Sequence, residues 1–293
     1  MEKQVIRIVK SAPHTVGDGF AIRRPLPGAG IQAIDPFLLL DHAGPTVIRP
    51  SDTPRGVDEH PHKGFETVTI VLQGELQHRD SAGNSGALRA GDVQWMTAAS
   101  GIVHEEKHGE EFTRRGGTVE IVQLWVNLPA RFKTEPPAYQ DLRGRDIPVV
   151  GLEGGGAVRV IAGAFGAAAG AARTFIPVDL LDVGMRAAEE ATIAWPEGHT
   201  AGLYVIRGAV TLSNGESVRE SELAGFTLDG TELRLRATEE SRFLLLGGEP
   251  IDEPVVTYGP FVMSTMEEIR QAYQEYREGA MGTIDIPIVT RGV

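Results

Sequence analysis

Three of the eight histidines and several carboxylates fall in two short stretches about forty residues apart. The first is Asp58-Glu59-His60-Pro61-His62-Lys63-Gly64-Phe65-Glu66, the second Gly101-Ile102-Val103-His104-Glu105-Glu106. Side chains alternate faces along a strand. His60, His62 and Glu66 are therefore expected on one face with Val68, Ile70 and Leu72. The same count groups Ile102, His104 and Glu106 and turns Val103 and Glu105 away, to a surface. Taken singly, each histidine reads as a bonded core residue and Glu106 as a surface charge. Together they would bury imidazoles and carboxylates among apolar side chains, at a cost of several kcal/mol without a cation. A divalent metal removes that cost. The chain has no cysteine, so the ion would rest on nitrogen and oxygen alone. This is the composition of a metal site inside a β-barrel.

The elements that would carry these residues are strands. Glu66 to Gln73 is β-branched and alternating, and Gly74-Glu75 reads as the turn after it. The 36 glycines and 18 prolines suit many strands joined by tight turns. A length of 293 residues suits two domains. The expected division is a metal-binding barrel over 1–134, a proline-bearing linker over 135–150, a second barrel over 151–262, and a helix and tail over 263–293. Gly202 to Val210 parallels Val68 to Leu76, which implies two barrels of like topology. With Gly208 set against Gly74, Ala194, Pro196 and Thr200 stand where His60, His62 and Glu66 do, so the second barrel lacks the ligands. His199 falls out of register and His42 reads as a bonded strand-end histidine. The Gly/Ala-rich run 163–172 reads as a surface loop. Ser264-Thr265-Met266-Glu267-Glu268 offers a helix capping box, with Met266, Ile269, Tyr273 and Tyr276 on one stripe. Thr283 to Thr290 alternates like a further strand.

A formal net charge of −12 argues against a phosphate-tracking surface and hence against direct nucleic-acid contact. No run approaches membrane-spanning length and the first residues lack a leader's apolar core. A cytoplasmic location is expected.

The wider pattern resembles the pirin family of the cupin superfamily. His60-Pro61-His62-Lys63-Gly64-Phe65-Glu66-Thr67, His78 to Asn84, Gly91 to Ala98 and Gly101-Ile102-Val103-His104 carry the likeness in the first half. Leu124 to Pro129, Gly247 to Ile251 and Tyr258 to Met263 extend it downstream. The resemblance implies an all-β bicupin of two tandem jelly-roll-like barrels with a C-terminal helix and short tail. It implies His60, His62, His104 and Glu106 as ligands of one metal. Glu66 is then an outer residue that could orient a histidine. Family likeness favours Fe2+, and the donor set also admits Ni, Cu, Co, Mn or Zn.

Two functions follow from the resemblance. One is a quercetinase-like dioxygenase that opens quercetin or a related flavonol with O2 and releases carbon monoxide. Glu106, both ligand and carboxylate, would take the proton of the 3-hydroxyl. The alternative is a non-enzymatic, iron-dependent regulator that modulates a protein partner, a transcription factor or a metabolic enzyme.

Overall fold

The alternating run that begins at Phe65 forms a strand buried on both faces, and the chain around it is almost entirely β-sheet. The computed structural model describes residues 1–284. In chain order the first strands are β1 (Val5–Lys10), β2 (Ala12–Val16), β3 (Phe20–Leu26), β4 (Phe37–Ile48), β5 (Gly56–His62) and β6 (Phe65–Gln73). There follow β7 (Glu75–Asp80), β8 (Ser85–Arg89), β9 (Val93–Thr97), β10 (Ile102–Lys107), β11 (Gly117–Asn127) and β12 (Ala138–Leu142). The first barrel joins a seven-stranded sheet, β12-β9-β6-β11-β4-β3-β2, to a four-stranded sheet, β5-β10-β7-β8. The second repeats this plan with seven strands and four. The repeat is visible at its turns: Gly74 and Gly208 both take positive φ, 87° and 81°, immediately after corresponding strands. The expectation of two tandem all-β barrels with a C-terminal helix is met.

The main apolar core lies between the barrels rather than inside the first. Val68, Ile70 and Leu72 of β6, with Val122, Leu124 and Val126 of β11, pack against Leu180, Tyr204, Leu244 and Leu246 of the second barrel. Charges caught in this interface are paired. Asp182, fully buried, accepts from Arg159 Nη1 at 2.6 Å and Arg242 Nη2 at 2.8 Å. His42 is indeed a bonded histidine, its Nδ1 2.9 Å from the Tyr204 hydroxyl and its Nε2 3.2 Å from Glu120.

The second barrel's interior is a separate, packed core. Val160, Leu181, Trp195, Leu203 and Phe243 fill it. Ala194 and Pro196 are exposed, and Thr200 Oγ1 donates to the Asp35 carbonyl at 2.5 Å. His199 Nδ1 bonds Asp179 at 2.6 Å.

The chain crosses between barrels more often than a division by residue ranges suggests. β1 pairs with Glu222–Phe226 of the second barrel. β12, inside the stretch expected as linker, pairs with β9 of the first. Beyond Gly248 the chain returns: Val256–Tyr258 and Phe261–Met263 form a hairpin whose Phe261 bridges to Lys63. The helix Met266–Arg277 carries the expected capping box, Thr265 with Glu268. Its buried face is Ile269 and Ala272, against Val103, Phe261 and Met263, while Met266 and Tyr276 are exposed. The expected four-residue stripe is thus narrower. The Gly/Ala run forms a two-stranded hairpin, Ala164–Phe165 with Ala168–Ala169, instead of a loop. The alternation expected to run to Thr290 passes beyond the described residues after Ile284.

Because the core is shared, the barrels should unfold together. Calorimetry of the wild type should show one cooperative transition. Leu244→Ala should lower the stability of the whole by about 2–5 kcal/mol without splitting that transition. Two separated transitions in the wild type would show that the interface does not couple the barrels.

Candidate metal centre

β5 and β10 are antiparallel neighbours, and their register sets His60 directly opposite His104 and His62 opposite Ile102. A register shift between His104 and Glu106 leaves Glu106 opposite Val57. One extra β5 residue is absorbed there, at the exposed Asp58 and Glu59. The imidazoles converge: one ligand atom from each of His60, His62 and His104 lies within 4.8 Å of the others. This group of three is the cluster that could hold a metal among the described residues.

Each ring is held by a backbone group or left free in a telling way. His60 Nδ1 lies 2.7 Å from the Asp58 carbonyl and His62 Nδ1 3.4 Å from the Pro260 carbonyl. A carbonyl only accepts, so both rings carry the proton on Nδ1 and present a bare Nε2. His62 Nε2 is buried without a partner. His60 Nε2 and His104 Nε2 face each other at 2.9 Å. Adjacent ligands on one ion with bonds of about 2.1 Å stand about 3 Å apart. The imidazoles therefore fit a first-row divalent ion. Burial and the neighbouring imidazoles push the pKa of His62 and of His104 well below the ordinary value. The rings thus stay in the neutral form that a metal requires.

Glu106 shares the His104 face, as the pleat requires. Its Oε1 accepts from Thr69 Oγ1 at 3.3 Å and its Oε2 from Gln123 Nε2 at 2.9 Å. These two hydrogen bonds fix the orientation of the carboxylate. With His60 and His62 it lines a cavity of about 990 Å³ between the two sheets of the first barrel. That is the upper end of the usual ligand-pocket range, about 300–1,000 Å³. Trp125, Leu39, Ile121, Val119 and Ile22 give it a largely apolar wall.

Two expectations change. Glu66 is not on the histidine face. Alternation does not run through the Lys63-Gly64 turn, where Gly64 has φ of +89°. Glu66 therefore points with Val68 and Ile70 toward the second barrel. It accepts from Thr97 Oγ1 at 2.7 Å and touches no histidine that it could orient. Burial raises its pKa to about 7. Glu105 does turn away from the centre, but it is buried rather than superficial. It pairs with Arg79 and, at 3.3 Å, with Lys107.

Other contributors gave little signal in sequence. Thr69 and Gln123 are interior positions of alternating strands, legible only once their face is known. The Pro260 carbonyl comes from the far end of the chain. Lys133, buried, donates to the Gly64 carbonyl at 2.6 Å, Asn127 Oδ1 at 2.8 Å and the Val262 carbonyl at 3.2 Å, and burial lowers its pKa to about 8. It ties the turn behind His62 to the returning segment. Gly64 permits that approach, since a Cβ there would strike the Val262 carbonyl.

Fold and centre together define a bicupin with a histidine cluster in its first barrel that could hold a metal. Comparison with known proteins agrees. The pirin family profile matches residues 19–126 and the pirin C-terminal cupin domain profile residues 180–282. A Pseudomonas aeruginosa protein provisionally named a quercetin 2,3-dioxygenase is 49% identical over 280 residues, covering 94% of this chain and 98% of its own. A pirin-like protein of tomato, Solanum lycopersicum, is 38% identical over 95% of this chain and 92% of its own. The crystal structure of a quercetin 2,3-dioxygenase from Acinetobacter baumannii superposes with a TM-score of 0.93 at 43% identity, covering 97% of this chain and 100% of that one. The chain belongs to the pirin family.

Two measurements follow. Glu66 has a raised folded pKa, so its contribution is full below about 4.5 and is lost as pH rises through about 7. Glu66→Gln should remove that decline from stability-against-pH curves while leaving metal content unchanged. Loss of metal would return Glu66 to the centre. Separately, Glu105→Gln should keep its metal but cost about 1–3 kcal/mol by weakening the buried pairing with Arg79 and Lys107. A Glu105 variant that folds normally yet binds no metal would mean that the strand register is wrong.

Proposed function

We propose that the chain is a metal-dependent dioxygenase that opens quercetin or a related flavonol with O2 and releases carbon monoxide. The proposed ligands are His60, His62, His104 and Glu106. The observation that carries this is the pair of Nε2 atoms facing each other at 2.9 Å beside the bare, buried Nε2 of His62. They sit next to a large, mainly apolar cavity that also holds a carboxylate. The quercetin 2,3-dioxygenase names of the Pseudomonas and Acinetobacter relatives support the same reading.

A bound divalent ion would supply a Lewis acid for the flavonol 3-oxygen and a redox-active partner for dioxygen. The chain's own residues do the rest. Glu106, oriented by Thr69 and Gln123, takes the 3-hydroxyl proton on a carboxylate oxygen. Trp125, Leu39 and Ile121 exclude water and pack against planar rings. Fe2+ is the metal proposed. Such a donor set also accepts other first-row ions, and a pirin from Escherichia coli of the same fold has been crystallised with nickel(II).

One observation favours a second reading, a regulator that modulates a protein partner. The returning segment touches the centre through Pro260 and Lys63, and Lys63 Nζ binds Glu275 of the C-terminal helix at 2.7 Å. A change at the metal could thereby be relayed to an exposed helix face.

Iron-loaded protein in air should consume quercetin and O2 in equal amounts and release carbon monoxide, and Glu106→Gln should lose most of this activity or most of the metal. No flavonol consumption by verified iron-loaded protein would leave the regulatory reading. Chelation should lower the melting temperature, because metal bound only to the folded state stabilises it by mass action. Metal affinity should fall as pH drops through the histidine range. An unchanged melting temperature after verified metal removal would argue against a buried centre.

A further inference from the structure

The floor of the cavity carries a second polar feature that a metal centre does not require. Asp41 of β4 stands opposite Gln123 of β11, which stands opposite Thr69 of β6. On the outer side, Arg24 of β3 binds Asp41 with Nε to Oδ1 and Nη2 to Oδ2, both at 2.6 Å. A polar row, Arg24–Asp41–Gln123–Thr69, thus crosses four neighbouring strands on the cavity side. Apolar pairs flank it in register, Leu39 with Trp125 on one side and Ala43 with Ile121 on the other. Gln123 already donates to Glu106 and Thr69. The Arg24–Asp41 end is the part of the row without a partner at the centre.

That end is chemically particular. Arg24 Nη1 makes no hydrogen bond among the described residues. Asp41 uses one lone pair of each oxygen on Arg24 and keeps the others. The pair is net neutral and presents a donor beside an acceptor. A carboxylate or phosphate gains little from a neutral pair, whereas a hydroxyl is itself both donor and acceptor. Strands stand about 4.8 Å apart, so Asp41 lies about 10 Å across the sheet from Thr69, where Glu106 is held. The two polar ends are separated by the length of a small multi-ring molecule, with apolar side chains on both flanks.

We infer that Arg24 and Asp41 are specificity-determining residues that hydrogen-bond hydroxyl groups at the end of the ligand remote from the metal centre. The cavity then selects planar, polyhydroxylated aromatics over their unsubstituted counterparts. This rests on the flavonol reading above and adds to it which part of the molecule is read, and by which residues.

The test is anaerobic binding, followed by Trp125 fluorescence, of iron-loaded protein to quercetin and to 3-hydroxyflavone, which keeps the chelating oxygens but lacks the remote hydroxyls. The wild type should prefer quercetin by at least about tenfold. The neutral double variant Arg24→Gln/Asp41→Asn should lose that preference through weaker quercetin binding, with 3-hydroxyflavone affinity and iron content unchanged. Arg24→Lys, which keeps the charge without the fork, should fall between them. Should the double variant prove unstable, the Lys variant alone decides by its quercetin preference. A preference retained in the variants, or both ligands weakened alike, overturns the inference and leaves the dioxygenase reading standing. A wild type that binds both flavonols equally does the same. A wild type that binds neither overturns the flavonol reading, and this inference with it.

Discussion

The molecule depends on where its apolar surface is buried. The large sheets of the two barrels pack back to back, so that β6, β9 and β11 meet the second barrel's strands in one continuous core. Burial of this kind is the dominant favourable term in folding and is indifferent to direction. Because it is satisfied between the barrels, the inside of the first need not be filled. That interior can be hollow, carry histidines and a carboxylate, and still belong to a stable chain. In the second barrel the same plan is used the other way, with aliphatic and aromatic side chains packed where the first has its cavity.

The centre is held by more than its own strands. Two rings take their tautomer from backbone carbonyls, one local at Asp58 and one supplied by Pro260. Outer partners of this type orient metal-binding histidines and make them better ligands. Lys133 and Gly64 secure the place where the returning segment meets the turn behind His62. The second half of the chain therefore helps to hold the histidine cluster of the first.

The polar groups of the cavity follow one rule. Buried hydrogen-bonding groups need partners, and the carboxylates of the cavity find theirs on an adjacent strand or across the barrel. Thr69 and Gln123 hold Glu106, and Arg24 holds Asp41. At the centre itself the Nε2 of His62 has no partner, and those of His60 and His104 only face each other. An ion there would satisfy groups that the protein alone leaves unmatched.

By itself the sequence determined the all-β character, the doubled barrel and the convergence of His60, His62 and His104. Those readings rest on alternation, turn glycines and residue type, all of which act over a few neighbouring positions. It also set Glu106 and Glu105 on opposite faces, because the pleat reverses at every residue. Tertiary structure decided the rest. Alternation could not be carried from His62 to Glu66 across a glycine turn with positive φ, so the face of Glu66 was not readable. Nor could the sequence say that Glu105 is covered, since its cover comes from Arg79 and Lys107 packed at its side. The Pro260 carbonyl at His62 and the row from Arg24 to Thr69 depend on contacts between residues far apart in the chain. Such contacts are chosen by the packing of whole sheets, for which no local pattern is a record.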